Sequence, residues 1–255
     1  MRPDEDSQVR GGGSFETTHW TDIFEAQTLD PDQRRQAEER IARRYWKPVY
    51  CYVRRMGLDP DKAKDLTQGF FCDVIVERKL ISHARRAKGR FRTFVLSALR
   101  HYAIDVHRAE RSGRRHPAGH LWSLTDMEGK SLPEPAAEST PEDAFHHAWV
   151  ASLLDEVLAS ARDSCRAAGQ EAYWEIFEAR CLHPIVEGVE PVSLAELCRR
   201  YDVSDEKKAS NMLMTVKRRL GRELRNRVQP WVRRGEDPRR EIQDLIGIIL
   251  GSGAA

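Results

Sequence analysis

No apolar run in these 255 residues reaches the length of a membrane span, so no membrane partner is expected. Cysteine is scarce: Cys51, Cys72, Cys165, Cys181 and Cys198 are odd in number, and none form a CxxC pair. That argues against a disulfide framework and fits buried thiols in a reducing cytoplasm. Cys181 and His183 by themselves are too few ligands for a metal ion, and neither a metal nor a cofactor is expected. Residues 1–14 are polar and Gly-rich and lack the apolar core of a signal peptide, which again suggests the cytoplasm. A phosphate-cradling glycine loop is missing, since Gly11-Gly12-Gly13 has no strand before it and no Lys-Ser after it. His19, His101, His107, His116, His120, His146, His147 and His183 offer candidate bases, with no nucleophile–base–acid spacing around them. The chain is therefore not expected to be an enzyme, and His146-His147 is read as a helix surface.

What the chain has is charge in blocks. The net charge of +2 hides them. Residues 85–115 carry ten Lys/Arg against two acids, residues 120–160 eight acids against one base, and residues 205–234 ten bases against three acids. Two basic blocks flank an acidic one, and such segregation makes strong local fields.

Apolar periodicity places helices along most of the chain and no strand pair. Residues 1–15 read as a disordered tail. Trp20, Ile23 and Phe24 suggest one helix, and Ala37, Ile41, Tyr45, Val49 and Tyr52 a second that Gly57 ends. Asp59-Pro60 opens a third, carrying Leu66, Phe70, Val74 and Ile75. A long fourth helix is expected from about Phe91 to Arg111. Residues 113–141 are rich in Pro, Gly, Ser and acids and read as a flexible acidic linker. A second helical set covers 142–230, starting with Ala144, Ala148, Ala151, Leu154 and Leu158 at helical spacing, then Tyr173, Trp174, Ile176 and Phe177. An extension over 231–255 holds one amphipathic helix with Ile242, Leu245, Ile246 and Ile249 on one stripe, expected to pack on the second domain. The expected fold is all-α: two small helical domains joined by that linker.

On a helical wheel the fourth helix separates cleanly. With Arg92 at zero, Phe91, Phe94, Val95, Ala98, Leu99, Tyr102 and Val106 fall at roughly 200° to 340°, and Arg92, Arg100, His101, His107, Arg108 and Arg111 at roughly 0° to 180°. A cationic strip with few compensating acids suits a phosphate backbone, where each neutralised charge releases a counterion.

Asp65-Leu66-Thr67-Gln68-Gly69-Phe70-Phe71, then Gly89-Arg90-Phe91-Arg92-Thr93-Phe94 and Ala98-Leu99-Arg100-His101-Tyr102-Ala103-Ile104-Asp105-Val106-His107-Arg108, resembles region 2 of bacterial sigma factors of the extracytoplasmic-function group, in a variant of planctomycete type. The resemblance implies that 16–112 is a region 2-like domain. Its 61–75 helix would bind the beta-prime clamp helices of core RNA polymerase through Asp65, Leu66, Gln68, Phe70 and Phe71. The helix matching Phe91–Arg111 would open and read the minus-ten element of promoter DNA. His101 stands where most members have Asn, and Phe94 where many have Trp.

A second motif lies at 192–225. Ser193 and Glu196 can form a capping box, with Val192 and Leu197 as hydrophobic staple. After a short turn, Ser204 is placed to cap a longer helix whose buried stripe is Ala209, Met212, Leu213, Val216, Leu220 and Leu224. Lys207, Asn211, Met214, Arg218, Arg222 and Arg225 lie opposite. This is a helix-turn-helix pattern, and its second helix suits the major groove. Asn211 can pair with adenine, and Met214 can touch a thymine methyl. The segment is also similar to sigma region 4, which implies minus-thirty-five recognition by Lys207, Lys208, Asn211, Arg218 and Arg222, and contact with the beta flap. An anti-sigma protein is a further partner the resemblance admits. Two other readings stand beside it: a helix-turn-helix regulator acting without core polymerase, and a helical protein-interaction module.

Overall fold

The computed structural model describes residues 30–77, 91–111, 135, 139–229, 239–240, 242–243 and 247. It is all-α, with no strand among the described residues. The expected helix around Trp20, the linker before Ser139 (Pro135 apart) and most of the tail stripe lie outside them.

Helix α1 spans Pro31–Arg55, with Pro31 at its first position and the Asp30 carboxylate accepting from Asp32 N at 3.1 Å. Ala37, Ile41, Tyr45, Val49 and Tyr52 are buried, as the periodicity predicts. Helix α2, Pro60–Gly69, is capped by Asp59, which accepts from Lys62 N at 3.0 Å. It continues as a wider π-helix over Phe70–Glu77. Phe70, Phe71 and Cys72 are consecutive and all buried, so this segment is enclosed on more than one side. Phe71 stacks on Trp46 at 6.0 Å and Phe70 meets Tyr102 edge-on at 5.7 Å, so neighbours on two sides claim adjacent residues.

Helix α3, Phe91–Arg111, closes this first core. The Tyr102 hydroxyl donates to Asp73 at 3.1 Å. A Cβ on Gly69 would stand 2.4 Å from that hydroxyl, so the glycine of the Gln-Gly-Phe-Phe stretch is there for close approach.

Helix α4, Pro141–Ala167, begins with a complete capping box between Thr140 and Asp143. Its buried positions include Phe145, Trp149, Leu153, Val157, Ala161 and Cys165, a strict four-residue repeat. Four residues overshoot a helical turn by about 40°, so the stripe winds roughly 200° around the helix from Phe145 to Cys165. Its first part packs in the core with α1, and Ala161 and Cys165 pack in a second core. The expected stripe is corrected here: Ala151 is exposed and Leu154 is 36% exposed. Their neighbours Val150 and Leu153, one position earlier, take the interior instead. His146 is half-buried rather than on the surface, whereas His147 is exposed.

Helix α5, Glu171–Phe177, runs through a π-turn at Glu178–Leu182 into the short α6, His183–Glu187. Helices α7, Leu194–Arg200, and α8, Glu206–Val228, complete the second core. The far end of α8 returns to the first one: Val228 is fully buried there, with Leu220 and Leu224 against it. Ile242 also packs on the first core rather than the second.

Polar contacts fix the same geometry. Glu156 of α4 takes Arg44 of α1 at 2.7 Å and makes an ionic contact with Arg227 of α8 at 3.7 Å. Arg227 also meets Glu223 at 3.2 Å, and Glu223 accepts from Ser160 at 3.2 Å. Both guanidinium side chains are about nine-tenths buried, at 10% exposure each. Glu156→Gln keeps the volume but removes the carboxylate that Arg44 and Arg227 share, leaving Arg227 its contact with Glu223. It should cost about 1–3 kcal/mol, since a partly buried pair loses less than the 3–5 kcal/mol of a fully buried one. In urea unfolding the midpoint should fall with the slope unchanged; an unmoved midpoint would remove the network from the account of stability.

Candidate nucleic-acid interface

The exposed face of α3 consists of Thr93, Ser97, Arg100, His101, Ile104, Asp105, His107 and Arg108. It is narrower than the sequence suggests. Arg92, expected on the cationic strip, is 6% exposed, with its guanidinium 5.0 Å from the Trp149 ring centroid. The buried arc runs from Phe91 through Val95, Tyr102, Val106, Leu99, Arg92 and Ala103 to Leu96, reaching about 40° past Arg92 on the wheel. Trp149, 57 positions along the chain, gives Arg92 a cation–π partner in exchange for water. Arg92 is thus structural. The side chain of Arg111 lies outside the described residues.

Arg100 is half-exposed and engaged. Its Nε donates to Glu142 Oε1 at 2.8 Å, and its Nη2 lies 2.7 Å from the same oxygen. Glu142 holds the guanidinium pKa above its ordinary value, chiefly through this hydrogen bond. His101, His107 and Arg108 are exposed. Beside this face His146 of α4 has its pKa pushed below the ordinary value, first by burial and then by the Arg92 charge, with Asp143 and Glu142 pulling the other way.

The helix-turn-helix forms. Ser193 accepts from Glu196 N at 3.2 Å, but the Glu196 carboxylate turns to Arg199, so half of the expected capping box is replaced by an ion pair. Asp202 takes a left-handed φ of 51°, which Asp tolerates, and Val203 N donates to Cys198 O at 3.0 Å to close the turn. Asp205, not Ser204, caps α8: its carboxylate accepts from Lys208 N at 2.8 Å and from the Ser204 hydroxyl at 2.9 Å. Those hydrogen bonds, that from Lys208 first, hold the Asp205 pKa below its usual value. The shift by one residue follows from charge, because a carboxylate satisfies a helix N-terminus better than a hydroxyl.

Ala209, Met212, Leu213 and Val216 are buried, and Leu220 and Leu224 partly so. Lys207, Lys208, Asn211, Met214, Arg218, Arg222 and Arg225 are all exposed, and Lys217 joins them. Arg219 faces the other way, donating to Cys165 Sγ at 2.8 Å and Gln170 at 3.0 Å, which clamps α8 to α4.

Of the candidates on α2, Asp65 and Gln68 are exposed and Leu66 is half-buried. Phe70 and Phe71 are 0% and 2% exposed, so they are core and not available to a partner. The sequence reading missed Ile104, 48% exposed in the middle of the basic face, although the wheel places it at roughly 120°. It also missed Glu142, Trp149 and Glu156, whose partners lie far away in the chain. Among the described residues no group of three or more His, Cys, Asp or Glu is arranged to hold a metal, and no helix is long and apolar enough to cross a membrane.

Comparison with family models, curated proteins and solved structures gave no match. Two exposed basic faces, on α3 and α8, are what the chain's own side chains offer. Arg218→Ala and Arg222→Ala, being at exposed sites, should leave the fold intact. If α8 contacts phosphates, each should weaken duplex binding and reduce its salt slope by about one unit. Fluorescence anisotropy across a salt series measures both, and an unchanged slope would make the face a solvated one.

Proposed function

We propose that this chain is a sigma factor that binds core RNA polymerase and directs promoter-specific transcription initiation in the cytoplasm. The observation that carries the reading is the pair of exposed basic faces on one helical frame: Arg100, His101, His107 and Arg108 on α3, and Lys207, Lys208, Asn211, Arg218 and Arg222 on a helix-turn-helix. A protein that engages promoter DNA at two separated elements needs two such faces, and the sigma-like motifs fall on the same helices. Asp65 and Gln68, exposed on α2, are the groups left for the clamp helices of the polymerase once Phe70 and Phe71 are assigned to the core. The chain acts as an adaptor and not as an enzyme.

One observation favours a second reading. Arg92 is buried and Arg100 is paired with Glu142, which weakens the α3 face relative to the α8 face. A helix-turn-helix regulator would need the α8 face alone. Run-off transcription with core polymerase on a genomic promoter library separates the two. The sigma reading predicts discrete start sites that depend on this chain and are lost with Asp65→Arg. Duplex binding without any chain-dependent transcript would support the regulator and end the sigma reading.

A further inference from the structure

We infer that Glu142 is an internal competitor of DNA: it occupies Arg100 in the manner of a backbone phosphate and so tunes the affinity of the α3 face. The inference rests on the proposed DNA-binding role of that face and adds its regulation.

The placement is built by α4. Arg100 meets Glu142 and Arg92 meets Trp149, so the first turns of α4 run antiparallel beside α3. Phe145, Trp149, Val150 and Leu153, all buried in the first core, hold those turns in place. The Thr140–Asp143 capping box fixes where α4 starts, and Arg55 Nε, donating to Ser139 O at 2.7 Å, ties the residue before it to α1. Glu142 thus reaches Arg100 from a rigid helix and not from a loose loop.

The chemistry is that of a phosphate contact. One carboxylate oxygen takes both Nε and Nη2 of Arg100, at 2.8 and 2.7 Å. That edge of the guanidinium is the one that receives phosphate oxygens in a forked contact, and it cannot serve both acceptors at once. The Arg100 side chain is 53% exposed and that of Glu142 31%, so water screens the pair and it is easily exchanged. A duplex has only to turn Glu142 aside, with α4 staying docked. Among the described side chains Asp105 is the other acid on this face, while His101, His107 and Arg108 remain exposed for first contact. The outcome is a face that resists weak, non-specific DNA and yields to a partner making several contacts together.

A double-mutant cycle tests this on the full chain, with a fluorescein-labelled mixed-sequence duplex at low salt. Glu142→Gln should tighten binding by roughly two- to fivefold, the scale of an exposed ion pair. Glu142→Asp keeps the charge at the helix N-terminus but is one methylene short, and should tighten binding in the same direction. Neither should have an effect once Arg100→Ala is present. Two results overturn the inference while leaving the DNA-binding reading intact: binding that Glu142→Gln leaves unchanged although Arg108→Ala weakens it, or a gain that persists with Arg100→Ala and so reflects only general charge. If neither the wild type nor any variant binds the duplex, the DNA-binding reading falls and the inference falls with it.

Discussion

Helix α4 has to serve two cores at once, and the rest of the fold is arranged around that requirement. A stripe that repeated at the helical period would face a single direction. The four-residue repeat from Phe145 to Cys165 instead turns steadily around the helix, so its start seals the core of α1, α2 and α3, and its end seals the core of α5, α7 and α8. Glu156 sits between the two halves and binds Arg44 on one side and Arg227 on the other. Arg219 and Val228 of α8 complete the attachment. The helix-turn-helix is therefore joined to the first core by direct packing as well as by the chain between them.

This arrangement decides which charges remain available. Docking α4 beside α3 draws Arg92 under Trp149 and places Glu142 on Arg100. Both arginines are absorbed in whole or in part by the acidic, aromatic start of α4. Among the described residues nothing comparable meets the α8 face, where Lys207, Lys208, Arg218 and Arg222 are exposed. The two faces differ in consequence: one is opposed by an acid of its own chain, and the other is exposed among the described residues. Net charge carries none of this; it depends on which acids the packing sets against which bases.

Local signals were legible in the sequence, and long-range ones were not. The α1 stripe, the Asp59-Pro60 start and the helix-turn-helix follow from periodicity and capping within a few residues, and each is found where expected. The Ser204 cap was misplaced by one residue because Asp205 next to it offers a stronger acceptor. The resemblance assigns Phe70 and Phe71 to a polymerase partner; Trp46 and Tyr102, from distant parts of the chain, claim them for the core instead. Arg92 sat at the edge of the wheel, where a charged residue is ordinarily assigned to solvent. Only the arrival of Trp149 from another part of the chain decides otherwise.

Because α4 is shared by both cores, they should unfold as one cooperative unit, which differential scanning calorimetry of the free chain measures. The expected result is a single transition whose calorimetric and van't Hoff enthalpies agree. Two resolved transitions, or a van't Hoff enthalpy well below the calorimetric one, would show that the cores melt independently and would contradict it.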